Sequence, residues 1–268
     1  MRCPTRLPAL LLLLLLPAAS CSEETVGGGE PAAVWTVRVL ASYPHDPAAF
    51  TQGLVIAQGQ LYESTGLHGQ STLRRVEVAT GAVLDGVSLD DADFGEGLAY
   101  LPDGDRLAQL TWTSNRGLVY ARDTLEQVAE FSYAGEGWGL AFDPTRQRLI
   151  MSDGTATLRF LDPASFAELG RVEVREGGRR VGMLNELEVV AGTLYANVLP
   201  TSRIARIDPE TGRLEAWIDC SALRPAGLPP AAALNGIAYD PAGERFLLTG
   251  KLWPTLYAVE FLPPSSAR

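Results

Sequence analysis

Five short stretches of the chain share an apolar half and differ in the residues just before it: "FTQGLVI" (50–56), "FGEGLAY" (94–100), "GWGLAFD" (137–143), "LNELEVV" (184–190) and "LNGIAYD" (234–240). The variable residues are the ones able to do chemistry. Glu96 sits between two glycines ahead of an apolar strand, where burial would lift a carboxyl toward the range of a general acid–base. The competing reading is a hydrogen-bonded structural carboxylate that bridges neighbouring units. Gln52 and Asn185 put amides at the matching place in other repeats, and Phe50, Trp112 and Trp138 are aromatic walls or packing between units. Lys251, in "LTGKLWP" (248–254), is the only lysine among 22 basic residues, which suggests a need for a compact ammonium rather than a guanidinium.

Other chemistries find little support. His45 and His68 are the only histidines, and neither a GxSxG elbow nor an HExxH helix is present. Oxygen donors at Glu96, Asp153, Asn185 and Glu186 offer one competitor, a calcium ion held as in a lactonase-type hydrolase.

These residues need a scaffold that repeats. Aligning Gly53, Gly97, Gly139, Glu186 and Gly236 gives spacings of 44, 42, 47 and 50 residues, the period of a four-stranded propeller blade. Each repeat reads as a strand, a turn such as "LPDGD" or "DPAGE", two further strands, and a Thr-Gly or Asp-Pro turn into a fourth. The fifth repeat stops after its third strand at "YAVEF" (257–261), while "WTVRVLASY" (35–43) has no partner of its own. Supplying it as the outer strand of the last blade closes a five-bladed, all-β propeller and covers an exposed edge. The ordinary turn chemistry then falls on one face and the unusual residues on the other, at the mouth of the central channel.

The N-terminus reads as an export signal. Arg2 and Arg6 precede "LPALLLLLLLPAASC" (7–21), an apolar run of signal-peptide length. "AASC" ending at Cys21 fits bacterial lipoprotein processing, so residues 1–20 are the expected signal, Cys21 the lipidated residue, 21–34 a Gly-rich tether, 35–263 the propeller and 264–268 a tail. Removing residues 1–20 takes two of the 22 basic residues and none of the 32 acidic ones, leaving a net charge of −12. That argues against nucleic acid, and it leaves the lipid anchor as the membrane link. With Cys3 in the signal and Cys21 acylated, Cys220 has no partner for an intramolecular disulfide. The expectation is a monomer in the bacterial cell envelope, periplasmic or anchored to a membrane.

The stretches "YPHDPAAFTQGL" (43–54), "YESTGLHGQSTLRRVEVATG" (62–81), "FGEGLA", "QLTW" (109–112), "GEGWGLAFD" (135–143), "LNELE" (184–188), "YANV" (195–198) and "LNGIAYDP…LLTGKLWPTLYAVEF" (234–261) resemble, in order and over residues 36–261, the plant and bacterial glutaminyl-peptide cyclotransferase family. The resemblance implies a five-bladed propeller that turns an N-terminal glutamine of a peptide or protein into pyroglutamate and ammonia, with no cofactor and no catalytic metal. It implies Glu96 as acid/base, Lys251 and Asn185 as further catalytic residues, and Phe50, Gln52, Trp112 and Trp138 as pocket lining. After "YANV" the family pattern has a Trp where this chain has Leu199, a looser wall that bears on affinity or side-chain preference. A non-catalytic propeller that binds an envelope peptide or protein is the other alternative, beside the calcium-dependent hydrolase.

Overall fold

The structure is a computed structural model and describes residues 31–265. The signal, Cys21 and residues 266–268 of the tail lie outside the described residues. The fold is all-β, without an α-helix among the described residues. Strand β1 (Ala33–Pro44) comes first, starting two residues inside the segment read as tether. Three antiparallel four-stranded sheets follow, each a meander in chain order. The first is β2 (Thr51–Ala57), β3 (Gln60–Thr65), β4 (Thr72–Val76) and β5 (Val83–Ser88). The second is β6 (Gly95–Leu101), β7 (Arg106–Thr111), β8 (Arg116–Ala121) and β9 (Gln127–Ser132). The third is β10 (Leu140–Asp143), β11 (Arg148–Met151), β12 (Thr157–Leu161) and β13 (Glu168–Glu173).

A short hairpin, β14 (Arg175–Glu176) and β15 (Arg179–Arg180), precedes β16 (Leu184–Val190), β17 (Thr193–Val198), β18 (Arg203–Ile207) and β19 (Leu214–Asp219). Last come β20 (Leu234–Asp240), β21 (Arg245–Gly250) and β22 (Thr255–Leu262). Strand β1 pairs antiparallel with β22, as the unpartnered N-terminal strand required. It also pairs in parallel with β19 through Ala33–Thr36, which fuses β16–β19 and β20–β22 into one eight-stranded sheet. That second pairing, the β14–β15 hairpin and a 3₁₀ turn at Ser221–Leu223 had no signal in the repeat pattern.

The inner strands of each sheet are buried almost throughout while outer strands such as β5 and β9 are exposed, and the apolar residues bury between neighbouring sheets rather than in one central mass. Val55, Leu73, Leu98, Leu107 and Leu118 pack between the first and second sheets, and Ala99, Leu110, Leu140 and Leu149 between the second and third. The first strands β2, β6, β10, β16 and β20 contact one another in sequence, and β20 returns to β2. Glycine makes that approach possible: a Cβ on Gly97 would lie 2.6 Å from the carbonyl carbon of Gly139, and one on Gly53 would lie 2.6 Å from Leu98 N. Glu186 stands at the corresponding place of β16 and does something different. Its carboxylate accepts N–H bonds from Leu54 of β2 (3.2 Å) and Ile237 of β20 (2.7 Å), tying three first strands together.

Candidate active site

Four of the five first strands carry a β-bulge at the repeated motif, between Thr51 and Gly53, Gly95 and Leu98, Leu184 and Leu187, and Leu234 and Ile237. A bulge breaks the two-residue alternation and re-aims the side chain at the break. Gln52, Glu96 and Asn185 stand at three of these bulges and line one cavity of about 190 Å³. Phe50, Phe94, Trp112, Trp138, Leu199 and Lys251 complete its wall. All eight residues proposed from sequence for the pocket therefore meet at one place, and Phe94 joins them. The volume is below the roughly 300–1,000 Å³ of sites for drug-sized ligands, so it suits one terminal residue rather than an extended peptide.

Glu96 is only 5% exposed and Lys251 7%. Burial raises the Glu96 carboxyl well above its ordinary value; Lys251 opposes that shift and the Glu136 carboxylate adds to it. Burial likewise lowers the Lys251 ammonium, against the pull of Glu96. The side-chain amide of Gln52 donates to Glu96 Oε1 at 2.8 Å, and its own oxygen accepts from Asn235 Nδ2 at 3.0 Å. Gln52 is thus engaged at both ends and orients the carboxyl. The Glu96 backbone carbonyl is held by Ser64 Oγ, which in turn accepts from Gln109 Nε2 at 2.7 Å. Asn185 lines the cavity as a buried side chain whose Oδ1 has no protein partner. Lys251 Nζ lies 4.7 Å from the centre of the Phe50 ring.

The aromatic wall is ordered by edge contacts and by one carboxylate. Phe94 meets Phe50 and Trp112 edge-on, with centroids 6.1 and 5.7 Å apart. The indole N–H groups of Trp112 and Trp138 both donate to Glu136 Oε2, each at 2.8 Å. Glu136 and Phe94 were not singled out from sequence. The repeated "GEG" at 95–97 and 135–137 was the available signal for Glu136.

Loops outside the cavity fix the segments that carry these groups. The Lys251 amide donates to Ala233 O and the Leu252 amide to Ala49 O, so the lysine loop docks on the segment before Phe50. Beneath it lies a buried ionic cluster. His45 contacts Trp253 O through Nδ1 (2.7 Å) and Glu63 through Nε2 (3.1 Å), while Arg74 and Thr51 also donate to Glu63. Both ring nitrogens face acceptors, which suits imidazolium. Burial alone would lower His45, but the Glu63 hydrogen bond and charge outweigh it and raise its pKa.

The calcium arrangement is not what the structure forms. Both Glu186 oxygens are taken by backbone N–H groups, and Asp153 caps its own turn through the backbone N–H and hydroxyl of Thr155. Of the four oxygen donors considered, only Glu96 and Asn185 line the cavity. Among the described residues no three His, Cys, Asp or Glu side chains gather as metal ligands.

Comparison with known proteins agrees with this geometry. A family model described as glutamine cyclotransferase matches residues 9–261. A glutaminyl-peptide cyclotransferase of Arabidopsis thaliana is 42% identical over 236 residues, covering 86% of this chain and 72% of the relative. The crystal structure of Myxococcus xanthus glutaminyl cyclase superposes with a TM-score of 0.80 at 38% identity, covering 87% of this chain and all of the other.

Proposed function

The chain belongs to the glutamine cyclotransferase family, and we propose that its cavity cyclises the N-terminal glutamine of peptides and proteins to pyroglutamate. The free α-amine attacks the side-chain carboxamide carbon of the same residue, forming the ring C–N bond. Collapse of the tetrahedral intermediate breaks the bond to the carboxamide nitrogen, which leaves as ammonia. One proton must leave the attacking amine and one must reach the departing nitrogen. Glu96 performs both transfers, because burial lifts its carboxyl well above the ordinary value and so makes it a stronger base that can take a proton and return it. Lys251 stabilises the oxyanion, and the Asn185 side chain binds the substrate's carboxamide or backbone. Gln52 orients Glu96, and Trp112, Trp138 and Phe50 confine the five-membered ring closure.

The observation that carries this reading is the pairing of buried Glu96, held by Gln52, with Lys251 in one aromatic cavity sized for a terminal residue. No step is routed through a metal or cofactor. The scaffold is read as five blades about one channel. The cycle of first-strand contacts and the Glu186 carboxylate that ties β16 to β2 and β20 support that reading. Export with lipidation at Cys21 belongs to the same proposal, and mass spectrometry of the mature N-terminus from a bacterial host tests it.

The activity itself is tested with a Gln-initiated dipeptide at neutral pH, chelator present, following ammonia and pyroglutamyl product. An Nα-acetylated copy of the peptide must stay inert, because its amine cannot attack. Ammonia from the acetylated peptide would identify an amidase instead. Silence toward both would favour the peptide-binding propeller.

A further inference from the structure

The two indoles of the pocket come from different sheets. Trp112 follows β7 and Trp138 precedes β10, and Trp112 is 37% exposed at the rim. Its ring meets Phe94 at an edge, and a single atom joins it to Trp138, since Glu136 Oε2 accepts each indole N–H at 2.8 Å. The backbone supports the clamp: Gly137 N–H donates to Trp112 O (3.0 Å), and Trp138 O accepts from Gly97 N–H (2.7 Å), one residue beyond Glu96. Glycine at 137 is required for this approach, because a Cβ there would lie 2.9 Å from Thr111 O and collide with the Tyr133 hydroxyl. The Gly-Glu-Gly-Trp segment thus delivers a carboxylate and an indole to the mouth and couples both to the strand that bears Glu96.

We propose that Glu136 is a positioning residue for the cyclisation: its one shared oxygen locks Trp112 and Trp138 into the two walls that hold the substrate's terminal glutamine. This rests on the activity proposed above. Glu136 acts through the indoles and exchanges no proton with substrate. Without the clamp Trp112 is free to turn toward solvent, and the glutamine side chain loses the confinement that brings its carboxamide to the α-amine.

The chemistry of the clamp supplies its own control. It needs an oxygen that accepts two N–H bonds, and a carboxamide oxygen has the two lone pairs to do this, though each bond is weaker than to a carboxylate. Glu136→Ala should therefore lower kcat/KM for a Gln-initiated dipeptide about tenfold, and Glu136→Gln should restore it, each variant being assayed at its own pH optimum. Acrylamide quenching of tryptophan fluorescence reads the same walls without turnover. It should increase in E136A and return to the wild-type value in E136Q. Unchanged quenching and kcat/KM in E136A would overturn the clamp, and so would loss of both readouts in E136A and E136Q alike. If the wild-type protein released no ammonia, the cyclase reading would fall, and the quenching series alone would still decide whether Glu136 holds the indoles.

Discussion

Replacing Glu96 by Gln separates proton transfer from the shape of the site. The substitution is close to isosteric, and the oxygen of a carboxamide at position 96 can accept the 2.8 Å bond that Gln52 Nε2 now donates to Glu96 Oε1. What disappears is a group able to take a proton from the amine and return it to the leaving nitrogen. One positioned acid–base group is worth about 10²–10⁴-fold, or about 2.7–5.4 kcal/mol of barrier at 1.36 kcal/mol per tenfold. In the proposed mechanism one carboxyl serves both transfers, so the upper half of that range is expected, with kcat down about 10³-fold or more. A second effect adds to the loss. Glu96 holds up the Lys251 ammonium against burial, so in E96Q the lysine is less charged where the oxyanion forms. KM should stay within about threefold, because the walls and Asn185 are untouched.

The assay is ammonia release from a Gln-initiated dipeptide across pH, with chelator throughout and circular dichroism to verify the fold. In the wild type, the base form of Glu96 is lost as pH falls through its raised value, so the acid limb should lie well above the ordinary carboxyl value of 4.5. That limb should vanish in E96Q. A folded E96Q protein that keeps more than about a tenth of wild-type kcat would refute the proton shuttle and remove Glu96 from the centre of the chemistry.

Lys251→Met should lower kcat/KM by about 10²-fold through loss of the oxyanion partner. It should also move the acid limb to higher pH, because the ammonium opposes the upward shift of Glu96; a limb that moves down would contradict the assigned coupling. The His45–Glu63 cluster predicts a stability plateau. Glu63 lies at about 2 against an ordinary 4.5, so its contribution is full above 4.5 and fades as pH falls toward 2. His45 is raised above its ordinary 6.5, so its contribution is full below 6.5 and is lost as pH climbs through the folded value. Thermal midpoints should peak between those limits, and His45→Gln should flatten the alkaline decline; a midpoint rising steadily from pH 6 to 9 would rule this out. Glu186→Ala leaves the Leu54 and Ile237 amides without their acceptor, at about 1–3 kcal/mol for each buried donor. Urea unfolding should show a loss of about 2–6 kcal/mol, and a value under about 1 kcal/mol would mean that Glu186 does not tie the strands.

The repeat period, the turn chemistry and the unpartnered N-terminal strand were properties of the sequence, because alternating hydrophobicity and Gly/Pro punctuation are local and each unit repeats the same local problem. The same logic exposed Gln52, Glu96 and Asn185, since the varied insert falls where the first strands bulge at the cavity. Other features depend on residues far apart in the chain. Phe94 is an ordinary apolar residue until Phe50 and Trp112 meet its edges. Glu136 gains its meaning only when β7 and β10 bring two indoles to one oxygen. Glu186 looked like a metal ligand in sequence, and its role as a tie appears only when the amides of Leu54 and Ile237, 132 and 51 residues away, converge on it. The parallel pairing of β1 with β19 is of the same kind, an edge satisfied by whichever backbone the closed ring brings near. Sequence determined which groups were available and how the frame repeats; tertiary structure decided which of them touch, because hydrogen bonds and burial depend on distances that local pattern does not encode.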